Sequence, residues 1–318
     1  MGAIEKAIAR FNVVTNPDAN QGSQSEDQPQ IPPIPGVPSK APVKSDNPSV
    51  QLVKSGSFLS TAANSNKTFT LPYKAMELEG LLSLSASAPR NQMSEEYRAI
   101  KRPILAAIDS QDRSDNDAVN RNLIMVTSCI SGEGKTFSAI NLALSIALEK
   151  DREVLLVDGD ITNPSCGKRL GFDNDRPGLT ELLQNKNRDP EELIWQSDMP
   201  NFRFLPAGIS NNHVTELLSS RNMQDLVEGL SRNYPERVII IDSAPLLLTS
   251  EASIVADLTG QIVFVVSAES TTRGMVSDAL RIVNDHSRVG FLLNKTRKAQ
   301  NNIYGYGYGY GYGYSNTG

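Results

Sequence analysis

From about residue 94 onward, apolar positions come in short unbroken runs, separated by segments in which they recur every three or four residues. The runs NLIMVTS (122–128), EVLLVDGD (153–160), FRFLPAG (202–208), RVIIIDSAP (237–245), QIVFVVSAE (261–269) and VGFLLNK (289–295) are rich in Val, Ile and Leu without polar alternation. Such runs suit strands buried on both faces. Between them, TFSAINLALSIALEK (136–150), NMQDLVEGLSRNY (222–234) and MVSDALRIVND (275–285) carry helical spacing. So does SEEYRAIKRPILAAI (94–108), which opens on a Ser–Glu capping signal and is expected to be interrupted at Pro103. Strands alternating with helices predict an α/β fold: a doubly wound, mostly parallel sheet with helices on both faces.

Ahead of this region the pattern fades. Ten of the eighteen prolines fall in residues 1–90, and PQIPPIPGVPSKAP (29–42) favours extended polyproline conformations. The predicted organisation is a short amphipathic helix over 1–14, a disordered Pro/Ser/Asn-rich linker over 15–90, a domain over 91–300 and a Gly/Tyr segment over 301–318. In the first of these, Ile4, Ala7, Ile8 and Phe11 share helical spacing. Docking on a partner or membrane and folding back on its own domain remain equal readings of that face.

Composition narrows the classes. Net charge is −5 with both signs mixed, which gives no electrostatic signal for nucleic acid. Two cysteines, Cys129 and Cys166, and two histidines, His213 and His286, make no metal-ligand cluster by spacing and fit a reducing compartment. Neither histidine is assigned a catalytic role, and Trp195 is expected to pack on a helix. No apolar run approaches the ~18–20 residues that span a bilayer, and MGAIEKAIARF has neither a signal-peptide nor a complete myristoylation pattern. A cytoplasmic protein is expected, with membrane contact made through a partner.

The strongest local signal is SCISGEGKT (128–136), which follows a predicted strand and opens a predicted helix. That is the context of a phosphate-binding loop. Gly132 and Gly134 free the backbone to turn N–H groups around an anion, Lys135 reaches the β- and γ-phosphates, and the Thr136 hydroxyl suits Mg2+. Ser131, Glu133 and Phe137 complete the expected nucleotide-binding stretch. Cys129 stands where the general pattern has glycine. Two further strands end in carboxylates, Asp158 and Asp160 on one and Asp242 on the other, where α/β sheets bind their ligands. Asp158 and Asp160, two apart on extended backbone, are expected to point to one side, and Asp242 sits in the position of a Walker B acid.

Together these motifs resemble the bacterial tyrosine kinases of polysaccharide export, P-loop proteins related to the MinD and ParA ATPases. The likeness is most specific to the exosortase (XrtA)-associated tyrosine autokinases of exopolysaccharide operons. It is carried by MGAIEKAIARF, EEYRAIKRP, NLIMVTSCISGEGKTFSAINLALSIA, VLLVDGDITNPS, FLPAGISNNHVTELL, IIIDSAPLLLTSEA, VGFLLNK and the tyrosine-rich end. The resemblance implies that Lys135 and Thr136 bind ATP and Mg2+, that Asp160 and Asp242 hold the metal, and that Asp158 orients or deprotonates a tyrosine hydroxyl. It implies Asn294 at the adenine side, and a subunit-contact helix bearing Glu95, Arg98 and Lys101, with Arg102 as a substitute for Lys101. Its implied partners are a membrane-embedded chain-length regulator, further copies of the chain phosphorylated in trans, and a protein-tyrosine phosphatase. Thr162 departs from the family, where an arginine is frequent.

The chain closes on YGYGYGYGYGY (304–314). Alternating glycine suits neither a strand interior nor a helix. A sticky low-complexity tail, an aromatic binding surface and a row of phosphate acceptors all fit the pattern alone. The kinase resemblance selects the last: Tyr304, Tyr306, Tyr308, Tyr310, Tyr312 and Tyr314 become tethered acceptors, within reach of a neighbouring subunit because residues 301–318 extend to roughly 50–60 Å. The competing readings are a ParA/MinD-type ATPase switch without kinase activity and a nucleotide-binding scaffold that has lost catalysis. Against the switch, SCISGEGKT lacks the early lysine such ATPases carry.

Overall fold

The computed structural model describes residues 67–82, 92–110, 120–173, 175–209 and 221–296. The expected N-terminal helix, most of the expected linker, His213 and the Gly/Tyr segment lie outside the described residues.

Eight strands form one sheet in the order β1-β4-β5-β3-β6-β2-β7-β8. They are β1 (Thr68–Phe69), β2 (Leu123–Ser128), β3 (Glu153–Asp158), β4 (Trp195–Ser197), β5 (Phe202–Leu205), β6 (Arg237–Asp242), β7 (Gln261–Ser267) and β8 (Val289–Asn294). Every pairing is parallel except β4 with β5. The uninterrupted apolar runs are explained by covering on both faces. Leu123, Met125, Leu155, Val157, Ile239 and Ile241 join one buried apolar layer. The residues between them, Ile124, Val126, Val154, Leu156, Val238 and Ile240, join the other. Alternate side chains of one strand thus feed two cores.

The helices are α1 (Tyr73–Leu78), α2 (Gln92–Asp109), α3 (Lys135–Ala147), α4 (Cys166–Arg169), α5 (Leu179–Gln184), α6 (Arg221–Asn233), α7 (Glu251–Leu258) and α8 (Arg273–Leu280). Helices α1, α2 and α3 cover the second layer, and α5 to α8 cover the first.

Three expectations are corrected. Pro103 does not interrupt α2, which runs through it. Pro103 and Ala99 both lie on the exposed side, where water can take the carbonyl that proline leaves without a donor. Residues 67–82, assigned to the linker, instead form β1 and α1. Leu71, Met76, Leu81 and Leu82 are buried in the second layer, and the Leu82 amide donates to Asn141 Oδ1 of α3 at 2.7 Å. Four apolar side chains in a dozen residues suffice to hold a segment whose flanks are polar. Trp195 lies on strand β4 rather than a helix, edge-on to Phe172 at 5.0 Å between centroids, with Arg176 over its ring at 5.2 Å.

Candidate active site

The site gathers at the C-terminal ends of β2, β3 and β6. Strand β2 ends at Ser128, and α3 begins at Lys135, so residues 129–134 form the connecting loop. Gly132 (φ +83°) and Gly134 (φ +100°) occupy the left-handed region that only glycine enters without strain. At Gly134 a Cβ would also fall 2.0 Å from Asn294 Nδ2. That amide, at the end of β8, donates to the Glu133 carbonyl at 2.8 Å, and Lys295 Nζ donates to the Gly132 carbonyl at 2.7 Å. The end of β8 therefore braces the loop while Asn294 lines the cavity beside it.

Glu133 lies within the loop with its side chain turned inward. Its carboxylate turns into the protein, accepting the Ile130 amide at 2.8 Å and the Thr271 hydroxyl. Burial allows it because both donors are fixed. Glu133 thus ties the loop to the β7–α8 connection; its side chain does not face the cavity.

Pairing β3 with β6 in register sets Asp158 opposite Asp242. Their strands close tightly just beyond: the Gly159 amide donates to the Asp242 carbonyl at 2.8 Å, and a Cβ on Gly159 would lie 2.8 Å from Ile241 Cγ2. Glycine between the two aspartates permits this approach. Asp160 follows past the strand end and meets Asp242 across Lys135 Nζ, while Asp158 meets Asp242 beside Cys166.

Lys135 neutralises part of that cluster. Its Nζ meets Asp160 Oδ2 at 2.7 Å and Asp242 Oδ1 at 3.8 Å. The Thr136 hydroxyl donates to Asp242 Oδ2 at 2.7 Å and lies 3.0 Å from Ser165 Oγ. Asp160 Oδ1 accepts the Thr162 hydroxyl at 2.9 Å, and Asp158 Oδ2 accepts the Cys166 amide at 3.0 Å. Burial, then the adjacent Asp242 charge, pushes the Asp158 carboxyl up to about 8. Burial also raises Asp242, against the pull of Lys135 and the Thr136 hydroxyl. For Lys135, burial lowers the pKa, but the charges of Asp242 and Asp160 outweigh it, and the net direction is up. The resting centre holds three acids against one cation.

Above the centre opens a cavity of about 460 Å3, lined by Ser131, Gly132, Gly134, Lys135, Thr136, Phe137, Asn163, Ser165, Arg169, Asn294 and Lys295. Asn163, Ser165, Arg169 and Lys295 were missed by sequence reasoning. Asn163 and Ser165 lie within TNPS directly after Asp160, where a turn follows a strand-end acid; that adjacency was the available signal. Arg169 had none, since only the turn into α4 brings it to the cavity.

The expected contact helix is changed in one place. Glu95 and Arg98 pair with each other at 2.6 Å on the exposed side of α2. Lys101 is buried instead, donating to the Ser145 carbonyl at 2.6 Å and pairing with Glu149 at 2.5 Å. It satisfies the C-terminal end of α3 in its own chain, which removes it from any subunit contact; Arg102 beside it is exposed.

Known proteins resemble this chain in sequence and fold. A family model described as an AAA domain matches residues 121–286. The chain is 28% identical over 225 residues to the tyrosine-protein kinase YwqD of Bacillus subtilis (strain 168), covering 70% of this chain and 89% of YwqD. AmsA of Erwinia amylovora is 34% identical over 191 residues, covering 59% of this chain; the chain spans only 26% of AmsA. Among solved structures, the VpsO kinase domain is 30% identical with a TM-score of 0.51, covering 63% of this chain and 100% of that domain.

Proposed function

Because the chain belongs to the AAA-domain family of P-loop proteins, and within it to the bacterial tyrosine kinases, we propose that it is an ATP-dependent protein-tyrosine autokinase. Its acceptors are the tyrosines of the C-terminal Gly/Tyr segment. The reading rests on one observation above others: a left-handed glycine loop, Lys135, Thr136 and three carboxylates converge beneath a single open cavity.

On this reading the triphosphate lies along the loop, and Lys135 exchanges its Asp160 partner for the β- and γ-phosphates. Positioning and charge neutralisation supply most of the rate, because phosphoryl transfer asks little covalent chemistry of the protein. Thr136, Asp160 and Asp242 would hold Mg2+; their hard oxygen donors fit it, and Asp242 Oδ1, buried without a hydrogen-bond donor and 3.8 Å from Lys135 Nζ, has a lone pair to offer a cation. When bound, Mg2+ supplies positive charge across the phosphates. The tyrosine oxygen attacks the γ-phosphorus, its bond to the ADP oxygen breaks, and the phenol proton passes to Asp158. Burial, the larger cause of Asp158's upward shift, brings its carboxyl closer to a phenol's ~10 than an ordinary one, which favours that transfer.

The acceptor segment enters a neighbouring copy's cavity, which makes the kinase an oligomer acting in trans. The exposed Glu95, Arg98 and Arg102 surface of α2 supplies the contact. Among the described residues no helix is long and apolar enough to cross a membrane. A membrane-embedded chain-length regulator of exopolysaccharide export would recruit the kinase to the membrane's inner face, and a phosphatase would reset it.

Incubating the full chain with labelled ATP and Mg2+ tests the reading. Acid-stable phosphotyrosine is expected, mapping to Tyr304–Tyr314 by mass spectrometry. Replacing all six tyrosines by phenylalanine removes most of it, and Lys135→Ala removes all of it. ATP hydrolysis without phosphotyrosine would point to an ATPase switch instead.

A further inference from the structure

Beneath the nucleotide cavity, one side chain has no part in the phosphoryl-transfer scheme. Cys166, the first residue of α4, is fully buried, and its thiol donates to Asp242 Oδ2 at 3.4 Å. Its own amide holds Asp158 Oδ2. The sulfur and one carboxylate oxygen each from Asp158 and Asp242 all lie within 4.8 Å of one another. Both aspartates are at most 1% exposed. Asp158 Oδ1 and Asp242 Oδ1 are buried without a hydrogen-bond partner. Lys135 Nζ, 3.8 Å away, partly compensates Asp242 Oδ1; Asp158 Oδ1 has no such partner, and an ionisable oxygen kept from water without a donor is costly unless a cation compensates it.

We propose that Asp158, Cys166 and Asp242 form a site for a thiophilic divalent cation of the Zn2+ class. A thiolate and two carboxylates are a mixed soft and hard donor set. Mg2+ prefers oxygen and water, whereas Zn2+ accepts sulfur and carboxylate together. Binding replaces the S–H···O contact by a sulfur–metal bond and releases the thiol proton to solvent. Tetrahedral Zn2+, with bonds of about 2.0–2.3 Å, keeps its ligand atoms roughly 3.3–3.6 Å apart; Cys166 Sγ and Asp242 Oδ2 already lie 3.4 Å apart, and only separations nearer 4.8 Å need to close on loading. A fourth position remains for water or a phosphate oxygen.

The consequence follows from shared ligands. Asp242 belongs to both cation sets, so the thiophilic ion and Mg2+ exclude one another. A metal of this class therefore acts as a competitor that stops phosphoryl transfer at the floor of the site. That consequence rests on the kinase reading; the binding site does not.

The test uses the full-length chain freed of metal with a chelator, and Co2+ as the probe. The wild type is expected to take up one Co2+ with a near-ultraviolet thiolate-to-cobalt charge-transfer band. Zn2+ removes the band at near-stoichiometric addition, and Mg2+ leaves it even at about hundredfold excess. Cys166→Ser and Cys166→Ala lose the band, and Asp158→Asn weakens Co2+ binding by about tenfold or more. Cys129→Ala, whose sulfur lies in the opposite apolar layer, keeps it. Circular dichroism melting establishes that each variant is folded, and if both Cys166 variants unfold, the Asp158→Asn titration decides. In the autophosphorylation assay, Zn2+ inhibits the wild type at about tenfold lower concentration than Cys166→Ser, each measured against its own rate with Mg2+ alone. No band in the folded wild type, or a band that survives the loss of Cys166, overturns the site. Equal Zn2+ inhibition of both proteins overturns the competition. A chain that makes no phosphotyrosine under any condition counts against the kinase reading, and the cobalt titration still settles the site.

Discussion

Asp158 and Asp242 stand side by side because two strands pair in register, and that juxtaposition has a measurable cost. An acid whose pKa is higher in the folded than in the unfolded chain binds more protons when folded between the two values. Raising pH through that window therefore removes stability. For Asp158 the window runs from the ordinary 3.8 to about 8, with Asp242 on β6, Asp160, Lys135 on α3 and Cys166 on α4 facing it. In chelator-treated protein, Asp158→Asn should grow more stable relative to the wild type as pH rises from 5 to 8. The gain is expected to reach on the order of 1–3 kcal/mol; the amide oxygen can still accept the Cys166 amide. Paired thermal melts across that range check it, and a difference independent of pH would show that Asp158 does not titrate there. Mg2+ with nucleotide should narrow the gap, since added positive charge offsets the repulsion.

Among the elements, α2 shows how one residue's burial changes its meaning. Glu95, Arg98 and Lys101 read as a single charged face, yet the helix turns Lys101 inward to the last turn of α3. A cation at a helix C-terminus, hydrogen-bonded to a free carbonyl, is favourable. Lys101→Ala should lower the unfolding free energy by about 1–3 kcal/mol, chiefly through the buried bond to the Ser145 carbonyl; the half-exposed Glu149 adds little. The loss should be the same at every protein concentration, as denaturant unfolding at two concentrations will test. A concentration-dependent loss would return Lys101 to a subunit interface.

At the scale of the whole molecule, the kinase reading requires the Gly/Tyr segment of one copy to reach the cavity of another. The Glu95–Arg98 pair is surface-exposed, where such pairs contribute at most about 1 kcal/mol to folding. Arg98→Glu should then leave the melting temperature within a few degrees while lowering phosphorylation in trans several-fold. The measurement mixes each catalytically competent chain with an acceptor chain carrying Lys135→Ala and counts phosphate on the acceptor alone. An unchanged rate would show that α2 is not the contact. Each phosphotyrosine adds roughly −1.5 to −2 charges, so heavily modified acceptors, repelled by the bound triphosphate and by the three acids beneath the cavity, should leave it and loosen the assembly.

The sequence by itself determined the doubly wound sheet, since only strands covered on both faces tolerate unbroken apolar runs, and the runs at 122–128, 153–158 and 237–242 all became strands of its centre. It also determined the glycine loop over 129–134, because glycines at that spacing act locally, through left-handed backbone conformation and the start of one helix. The tertiary structure decided whatever depends on what lies opposite. Leu71 and Met76 become core only because the second apolar layer is there to receive them. Lys101 becomes an internal cap only because α3 ends beside it, and Glu133 becomes a brace only because Thr271 meets it. Cys166, eight residues beyond Asp158 and far from Asp242 along the chain, joins both carboxylates only when β3 and β6 pair and α4 folds across their ends. Local pattern specifies an element; the electrostatic meaning of a side chain waits on its neighbours, because charge, burial and hydrogen bonding are set by distances that one-dimensional spacing does not contain.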